Sequence, residues 1–220
     1  MKWLYMLVGL LLYLKLLFVA GPEMEGAEFS IVETLAQESG VSNVVSGIIF
    51  RNRLYDTVFE VVVFTIAIMG VKFLLADETP ASEIYQFTDS PSIVLARLGA
   101  TIAALISIEL ALRGHLSPGG GFAAGVAGGT AIGLVAITSR PEWMAAIYKR
   151  WNAASWEKLS VLIFIAIALL TFVGVELPHG NHGELLSGGW IPLLNILVAI
   201  KVALGSWAAI LTFIRYRGLL

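Results

Sequence analysis

The sequence contains no cysteine, few charged residues and only three histidines. Without thiols, the chain itself cannot form disulfides, thiolate zinc sites or cysteine-ligated iron–sulfur clusters. Charged residues make up 14% of the 220 residues and hydrophobic residues 58%, and the mean hydropathy is +0.84. A soluble domain has about 25% charged residues, and a chain this small cannot bury so much apolar surface in one core. The composition predicts a membrane protein that binds no nucleic acid, and it predicts no cofactor on this chain.

Six apolar runs predict an all-α, polytopic membrane protein with six transmembrane helices, because a spanning helix needs about 20 apolar residues. The runs are residues 3–20, 57–76, 93–112, 122–138, 159–177 and 192–214. The first run could also be a signal peptide, since Lys2 precedes it and small residues follow it; we expect a retained helix. The acidic, proline-containing segment 77–92 divides a two-helix half, residues 1–90, from a four-helix half, residues 91–220.

The distribution of basic residues predicts the orientation in the membrane. With the N-terminus inside, the outer loops carry only Arg51, Arg53 and Arg113. The inner segments carry more: Lys2, four residues between 139 and 158, and Arg215 and Arg217. The positive-inside rule therefore predicts that both termini are cytoplasmic.

Ionisable side chains in or beside the predicted spans are the first candidates for function, because a charge at the bilayer centre costs about 2.5–3.5 kcal/mol. The ion-pathway candidates are Asp56, Glu60, Lys72, Glu109 and Lys201. Lys201 lies near the middle of the last run, so it should either belong to a hydrophilic ion path or pair with a buried acid of a neighbouring helix. Lys72 lies near a helix end, where a lysine side chain can reach the interface.

The acidic candidates each have two interpretations. Asp56 and Glu60 share one helix face and could line the mouth of an ion path. They could equally be acids that a helix N-terminus favours, paired with a nearby arginine. Glu109 precedes Arg113 by four residues, a spacing that permits an ion pair on one helix face.

Glycines dominate the fourth run and the turn before it. The stripe Gly121, Gly125, Gly129 and Gly133 recurs every four residues and predicts close helix–helix packing. The residues that predict a tight inter-helix turn are Gly114, His115, Pro118, Gly119, Gly120 and Gly121. In that turn, His115 could relay protons or cap the end of the third helix. A phosphate-binding loop is not expected, because no Gly-Lys-Ser/Thr follows and no strand precedes.

A second histidine-containing segment holds His179, His182 and Glu184. These side chains could form a metal site. Two histidines among glycines are weak grounds for one, so the segment favours a surface turn and we expect no metal.

Residues 113–122, Arg-Gly-His-Leu-Ser-Pro-Gly-Gly-Gly-Phe, resemble the Gly-His and Pro-Gly-Gly-Gly-Phe motif of the MnhB-type subunit of Mrp-type multisubunit sodium/proton antiporters. The resemblance extends over residues 91–220 and implies a four-helix, MnhB-like domain. In residues 1–90, the pattern Asn43-Val44-Val45, Phe50-Arg51, Asp56-Thr57 and Glu60 resembles the C-terminal part of the large, A-type subunit of the same antiporters. Val58-Phe59 departs from the Leu-Gly usual there. The second resemblance implies a place for Glu60 on the cation path.

A chain that joins these two pieces is similar to subunits of archaeal membrane-bound hydrogenases and sulfane reductase complexes with an Mrp-like module. The similarity implies a non-catalytic subunit in a prokaryotic plasma membrane. Its implied partners are the lipid bilayer, the other membrane subunits of the module and a peripheral redox arm. The alternatives are a purely structural subunit for assembly, or membership of a plain sodium/proton antiporter.

Overall fold

The described part of the chain is all helical. The structure, a computed structural model, describes residues 28–218 together with Leu10 and Leu14. Apart from these two leucines, the first predicted span, residues 3–20, lies outside the described residues. The chain divides into two compact units, Met1–Thr34 and Leu35–Leu220, and the helical bundle belongs to the second.

The helices in chain order are α1 Glu28–Ser39, α2 Val44–Gly47, α3 Leu54–Leu74, α4 Ser90–Arg113, α5 Gly121–Ala136, α6 Pro141–Arg150, α7 Ala153–Phe172 and α8 Ile191–Arg217, with a π-helical turn at Ile48–Asn52 after α2. Within residues 28–218, four helices are long and apolar enough to cross a membrane: α3, α4, α7 and α8. Helix α5 is apolar but has only 16 residues, fewer than the roughly 20 that a span needs. Six spanning helices therefore stay a prediction.

Helix α7 begins earlier than hydropathy predicts. The predicted run starts at residue 159, whereas the helix starts at Ala153, directly after Asn152, which has a left-handed φ of 47°. Glu157 is consequently a buried residue inside the helix rather than part of a loop. Hydropathy alone places a charged residue outside a span, but here Lys201 neutralises the carboxylate.

Helix α8 forms the centre of the bundle and packs against α3, α4, α5 and α7. Its buried face carries apolar residues such as Leu194 and Val198, which join Phe164 of α7 and Leu54 and Val61 of α3 in one core cluster. Lys201 and Asn195 lie on the same buried face. These two polar side chains are therefore held inside the protein.

The connecting segments gather at two ends of the bundle. At one, the His115 end, the backbone N–H of Asn43 donates to the carbonyl of His115 at 3.0 Å. The other end also holds α6 and is called the α6 end. Here Arg217 pairs with Glu78 at 2.6 Å, so the C-terminus of α8 contacts the segment after α3. This is the arrangement that helices of alternating direction produce.

Candidate functional site

One ion pair is buried among the described residues, between Lys201 of α8 and Glu157 of α7. The two side chains are only 2% and 8% exposed, and Lys201 Nζ contacts Glu157 Oε1 directly. Lys201 Nζ also lies 5.4 Å from the centre of the Phe64 ring, a cation–π distance. Gly205 makes room for this arrangement, since a Cβ there would come within 2.6 Å of the Phe64 ring.

The two charges depend on each other. Removing one partner of a buried ion pair costs about 3–5 kcal/mol, because the remaining charge is left without compensation. From the sequence, Lys201 either pairs with an acid or belongs to an ion path. In the structure this acid is Glu157. A lysine that is paired with a buried acid can also form part of an ion path.

Sequence reasoning missed Glu157, because two adjacent charged residues at 157 and 158 are typical of a loop and the apolar run starts only at residue 159. The spacing of residues along α7 nevertheless indicates that Glu157 is buried. The buried face of α7 carries Ala153, Glu157, Ser160, Phe164 and Ile167. That spacing follows the helical repeat, so it would have placed Glu157 on a core-facing stripe.

Glu60 lines a groove of about 720 Å³ that is formed by residues 43–67 and residues 118–122. The groove is mainly apolar, with polar side chains from Asn43, Ser46, Thr57 and Glu60. The Glu60 side chain is exposed, and its carboxylate makes no hydrogen bond or ion pair with any residue in the described part of the chain.

Phe64 is a neighbour of both the groove and the buried ion pair. It lies one helical turn after Glu60 on α3 and lines the groove, while its ring contacts the Lys201 ammonium. The ring of Phe122 meets it edge to face, with centroids 6.4 Å apart. Phe64 thus connects the groove that contains Glu60 with the buried ion pair.

The other predicted pathway residues make local contacts or none. Asp56 accepts a hydrogen bond from Arg53 Nε at 2.6 Å, and Glu109 pairs with Arg113 at 3.1 Å. Such exposed pairs contribute at most about 1 kcal/mol. Lys72 is exposed and lines a cleft at the α6 end. None of these three candidates contacts the buried pair among the described residues.

The end of α4 is capped by two asparagines. Asn195 Nδ2 donates to the carbonyls of Leu110 at 3.1 Å and Ala111 at 2.9 Å. Asn43 Nδ2 donates to the carbonyl of Gly114 at 2.8 Å. These bonds supply partners for carbonyls that a helix end leaves free.

His115 therefore does not cap α4. Its side chain is fully buried, and neither ring nitrogen makes a hydrogen bond of ordinary geometry with the described residues. Burial lowers the pKa of His115, and nearby backbone groups of Glu184 and Leu185 only partly offset this effect. The imidazole is held neutral at the His115 end of the bundle.

The glycines of the turn are required by geometry. Gly119 and Gly120 have φ values of 144° and 105°, which residues with a Cβ rarely adopt. A Cβ on Gly114 would lie 2.4 Å from Asn195 Nδ2, and one on Gly121 would lie 2.4 Å from the Asn195 carbonyl oxygen. Pro118 lies in the same turn and lines the groove. The motif thus lets the turn close tightly over α8.

The stripe on α5 faces α8. A Cβ on Gly125 would lie 2.4 Å from Val202 Cβ, and one on Gly129 would lie 2.7 Å from Ser206 Cβ. At Gly133 the nearest atom would be 3.4 Å away, which is ordinary contact. The close contact between α5 and α8 therefore extends from Gly121, where an added Cβ would lie 2.4 Å from the Asn195 carbonyl oxygen, to Gly129.

Residues 178–190 form a loop without regular secondary structure. In this loop, His179 Nε2 and Arg51 Nη1 are 3.0 Å apart, and Arg51 also pairs with Glu176 at 3.0 Å. His182 Nε2 lies 3.4 Å from Ser42 Oγ. No group of three or more His, Asp or Glu that could hold a metal ion occurs within the residues that the structure describes.

Comparison with known proteins identifies the family. Residues 91–208, more than half of the chain, match the family described as a domain related to the MnhB subunit of Na+/H+ antiporter. An uncharacterized protein of Methanocaldococcus jannaschii is 28% identical, in an alignment that covers 78% of this chain and 77% of that one. A probable K+/H+ antiporter A/B subunit of Rhizobium meliloti is 25% identical, in an alignment that covers 82% of this chain but 20% of the relative.

Two solved structures share the fold. A chain of the membrane-bound sulfane sulfur reductase, an archaeal respiratory membrane complex, superposes with a TM-score of 0.74 at 24% identity and covers 97% of this chain and 96% of its own. A chain of the Mrp complex from Dietzia sp. DQ12-45-1b gives a TM-score of 0.69 at 22% identity, covering 94% of this chain and 25% of that one. The resemblance inferred from residues 113–122 is confirmed: the chain is a multi-pass membrane protein that belongs to the family of domains related to the MnhB subunit of Na+/H+ antiporters.

Proposed function

We propose that the chain is a non-catalytic integral membrane subunit of a multisubunit cation/proton-translocating complex of the Mrp type, coupled to a membrane-bound hydrogenase or a sulfur-reducing respiratory complex. The observation that carries the proposal is the buried Lys201–Glu157 pair within an MnhB-related bundle. Its partners would be the other membrane subunits of the antiporter module and a peripheral redox arm. The fold shared with a sulfane reductase chain over nearly its whole length supports this setting.

Glu60, Phe64, Lys201 and Glu157 form the functional core of this proposal. Glu60 places a carboxylate in the apolar groove, and no residue in the described part of the chain pairs with it. Such a carboxylate can attract a sodium ion or a proton. A charge that binds at Glu60 would act on Lys201, whose surroundings are buried and therefore screen electrostatic interactions less than water does. The ion pair would then respond to occupancy of the groove, so that this chain would serve as an electrostatic link in the path.

Ion flux through the intact complex tests the proposal. Complexes carrying Glu60→Gln, or the paired change Glu157→Gln with Lys201→Met, would be reconstituted in liposomes for sodium and proton flux measurements. The paired change removes both charges and so avoids leaving one buried alone. We expect coupled flux to fall about tenfold or more in both complexes, equivalent to about 1.4 kcal/mol or more.

Glu83→Gln is the matched control, because Glu83 is an exposed acid in the segment after α3. It should leave the fluxes unchanged. Wild-type fluxes in both test complexes, with all subunits present, would refute the path assignment.

A structural role is the second candidate function. It is favoured by the internal pairing of Lys201 with Glu157 and by the close contact between α5 and α8. In that case the charge variants would affect assembly and leave ion flux per assembled complex unchanged. Membership of a plain antiporter, as the name of the Rhizobium relative suggests, would be indicated if only antiporter subunits copurify with the chain.

A further inference from the structure

A basic cleft lies at the α6 end of the bundle, separate from the buried ion pair and the groove. It encloses about 620 Å³ between the start of α4, the end of α5 and the start of α6. Its lining residues are Arg97, Thr138, Ser139, Arg140, Glu142 and Trp143.

Ser139 lines this cleft and is held in place by two hydrogen bonds. Its Oγ accepts a hydrogen bond from Arg97 Nη2 at 2.8 Å, and its carbonyl accepts one from Gln86 Nε2 at 2.6 Å. Because Oγ accepts from Arg97, the Ser139 hydroxyl hydrogen remains available to a ligand. Thr138 differs, since its hydroxyl donates to backbone carbonyls of α5.

The two arginines retain most of their donors. Arg97 uses one N–H on Ser139, which leaves four of the five that a guanidinium carries. Arg140 is exposed, and its side chain makes no hydrogen bond or ion pair across residues 28–218. Glu142 is the one acid in the lining. The cleft therefore carries two positive charges and one negative charge, a balance that suits a singly charged anion.

The residues of the cleft suit the membrane–water interface, which an arginine part way along a spanning helix can reach with its long side chain. Arg97 lies seven residues after the start of α4 at Ser90, about 10 Å along the helix. Trp143 is 49% exposed beside Arg140, and tryptophan is typical of the membrane–water interface. An indole beside two guanidinium groups offers an apolar surface to a glycerol backbone and fixed donors to a phosphate.

We infer that this cleft binds the phosphodiester of an anionic phospholipid. Guanidinium groups bind phosphate oxygens through paired, charge-assisted hydrogen bonds, and basic pockets between membrane helices are a recurrent kind of lipid site. The net charge of the cleft matches a phosphodiester, which carries one negative charge. The exposed Trp143 favours a lipid over free phosphate. The inference does not depend on the ion-path proposal.

Native mass spectrometry of the full chain in detergent tests this inference, with phosphatidylglycerol, phosphatidylcholine and inorganic phosphate as separate probes. We expect phosphatidylglycerol to bind selectively. Arg140→Gln and Arg97→Gln should each raise its half-saturating concentration about fivefold, since each removes one cation near the membrane surface. Glu142→Gln should lower that concentration, because it removes the opposing charge.

Lys149→Gln is the matched control, since Lys149 is an exposed cation of α6 that does not line the cleft. It should leave binding at the wild-type value. Unfolding midpoints without lipid would verify that each variant is folded. Equal affinity for phosphatidylcholine, or equal effects of Arg140→Gln and Lys149→Gln, would overturn the inference. Inorganic phosphate displacing the lipid at the same concentration would also overturn it, in favour of a free-anion site.

Discussion

Lys201 and His115 are both fully buried polar residues, and their surroundings differ in one respect. Lys201 contacts the Glu157 carboxylate and the Phe64 ring, so the positive charge of its ammonium is compensated. His115 has no hydrogen-bond partner of ordinary geometry in the described part of the chain, and burial lowers its pKa. The bundle therefore accommodates Lys201 beside an opposite charge, and it accommodates His115 as a neutral imidazole.

The stability of the protein should depend on pH through His115. Burial lowers its folded-state pKa from the ordinary value of 6.5, so the unfolded chain binds the proton more tightly. The neutral imidazole thus contributes stability that is fully present above about pH 6.5 and is lost as the pH falls through the folded-state pKa. We expect the thermal unfolding midpoint of the full chain to fall on acidification, and His115→Gln to reduce this dependence.

His182→Gln provides the comparison, because His182 is an exposed histidine at the same end of the bundle. It should keep the wild-type slope of unfolding midpoint against pH. Identical slopes in wild type and His115→Gln would show that His115 does not contribute.

The candidate site was only half predictable from the sequence. Lys201 is conspicuous because it interrupts an apolar run of the length of a span. Glu157 is not, because it stands beside Lys158 at the end of a polar segment, and only the neighbouring helix shows that its charge is buried and neutralised. The two asparagines that cap α4 were missed for a related reason, since Asn43 and Asn195 are distant in sequence from the carbonyls they bind.

At the level of elements, apolar runs predicted the long helices well, and α6 was missed. The segment 139–158 has the composition of a basic loop. Its local signals nevertheless favour a helix, since Pro141 and Glu142 stand at the start of α6 and Lys149 and Arg150 at its end. Hydropathy does not detect α6, because charged residues at both ends interrupt its apolar positions.

The contact between α5 and α8 should respond to side-chain volume in a graded way. Gly125→Ala and Gly129→Ala insert a methyl group where the nearest atoms of α8 lie 2.4 and 2.7 Å from the new Cβ. Overpacking of this kind costs about 1–3 kcal/mol. We expect both variants to lower the thermal unfolding midpoint of the purified full chain, with Gly125→Ala the more severe.

Gly70→Ala is the control for helix propensity. Gly70 lies within α3, and an added Cβ there meets nothing within 4 Å. Alanine favours a helix over glycine by about 1 kcal/mol, so this variant should be neutral or slightly stabilising. If Gly125→Ala behaved like Gly70→Ala, close approach of α5 and α8 would not matter for stability.

For the whole molecule, the two ends of the bundle differ in charge and in the residues suited to an interface. The α6 end holds the basic residues of α6 and of the end of α8, together with the exposed Trp143. The His115 end holds the turn of the glycine motif and the loop 178–190. Because basic residues are retained on the cytoplasmic side of membranes, we expect the α6 end to face the cytoplasm.

Single cysteines can test this orientation without interference from native thiols on this chain, because the sequence has none. Lys149→Cys would report on the α6 end and His182→Cys on the other, and both positions are exposed. In intact cells, a membrane-impermeant maleimide should label His182→Cys and leave Lys149→Cys unlabelled. Labelling of both after the membrane is opened confirms that each thiol is reactive. The reverse pattern in intact cells would place the α6 end outside, and it would also invert the predicted positions of both termini.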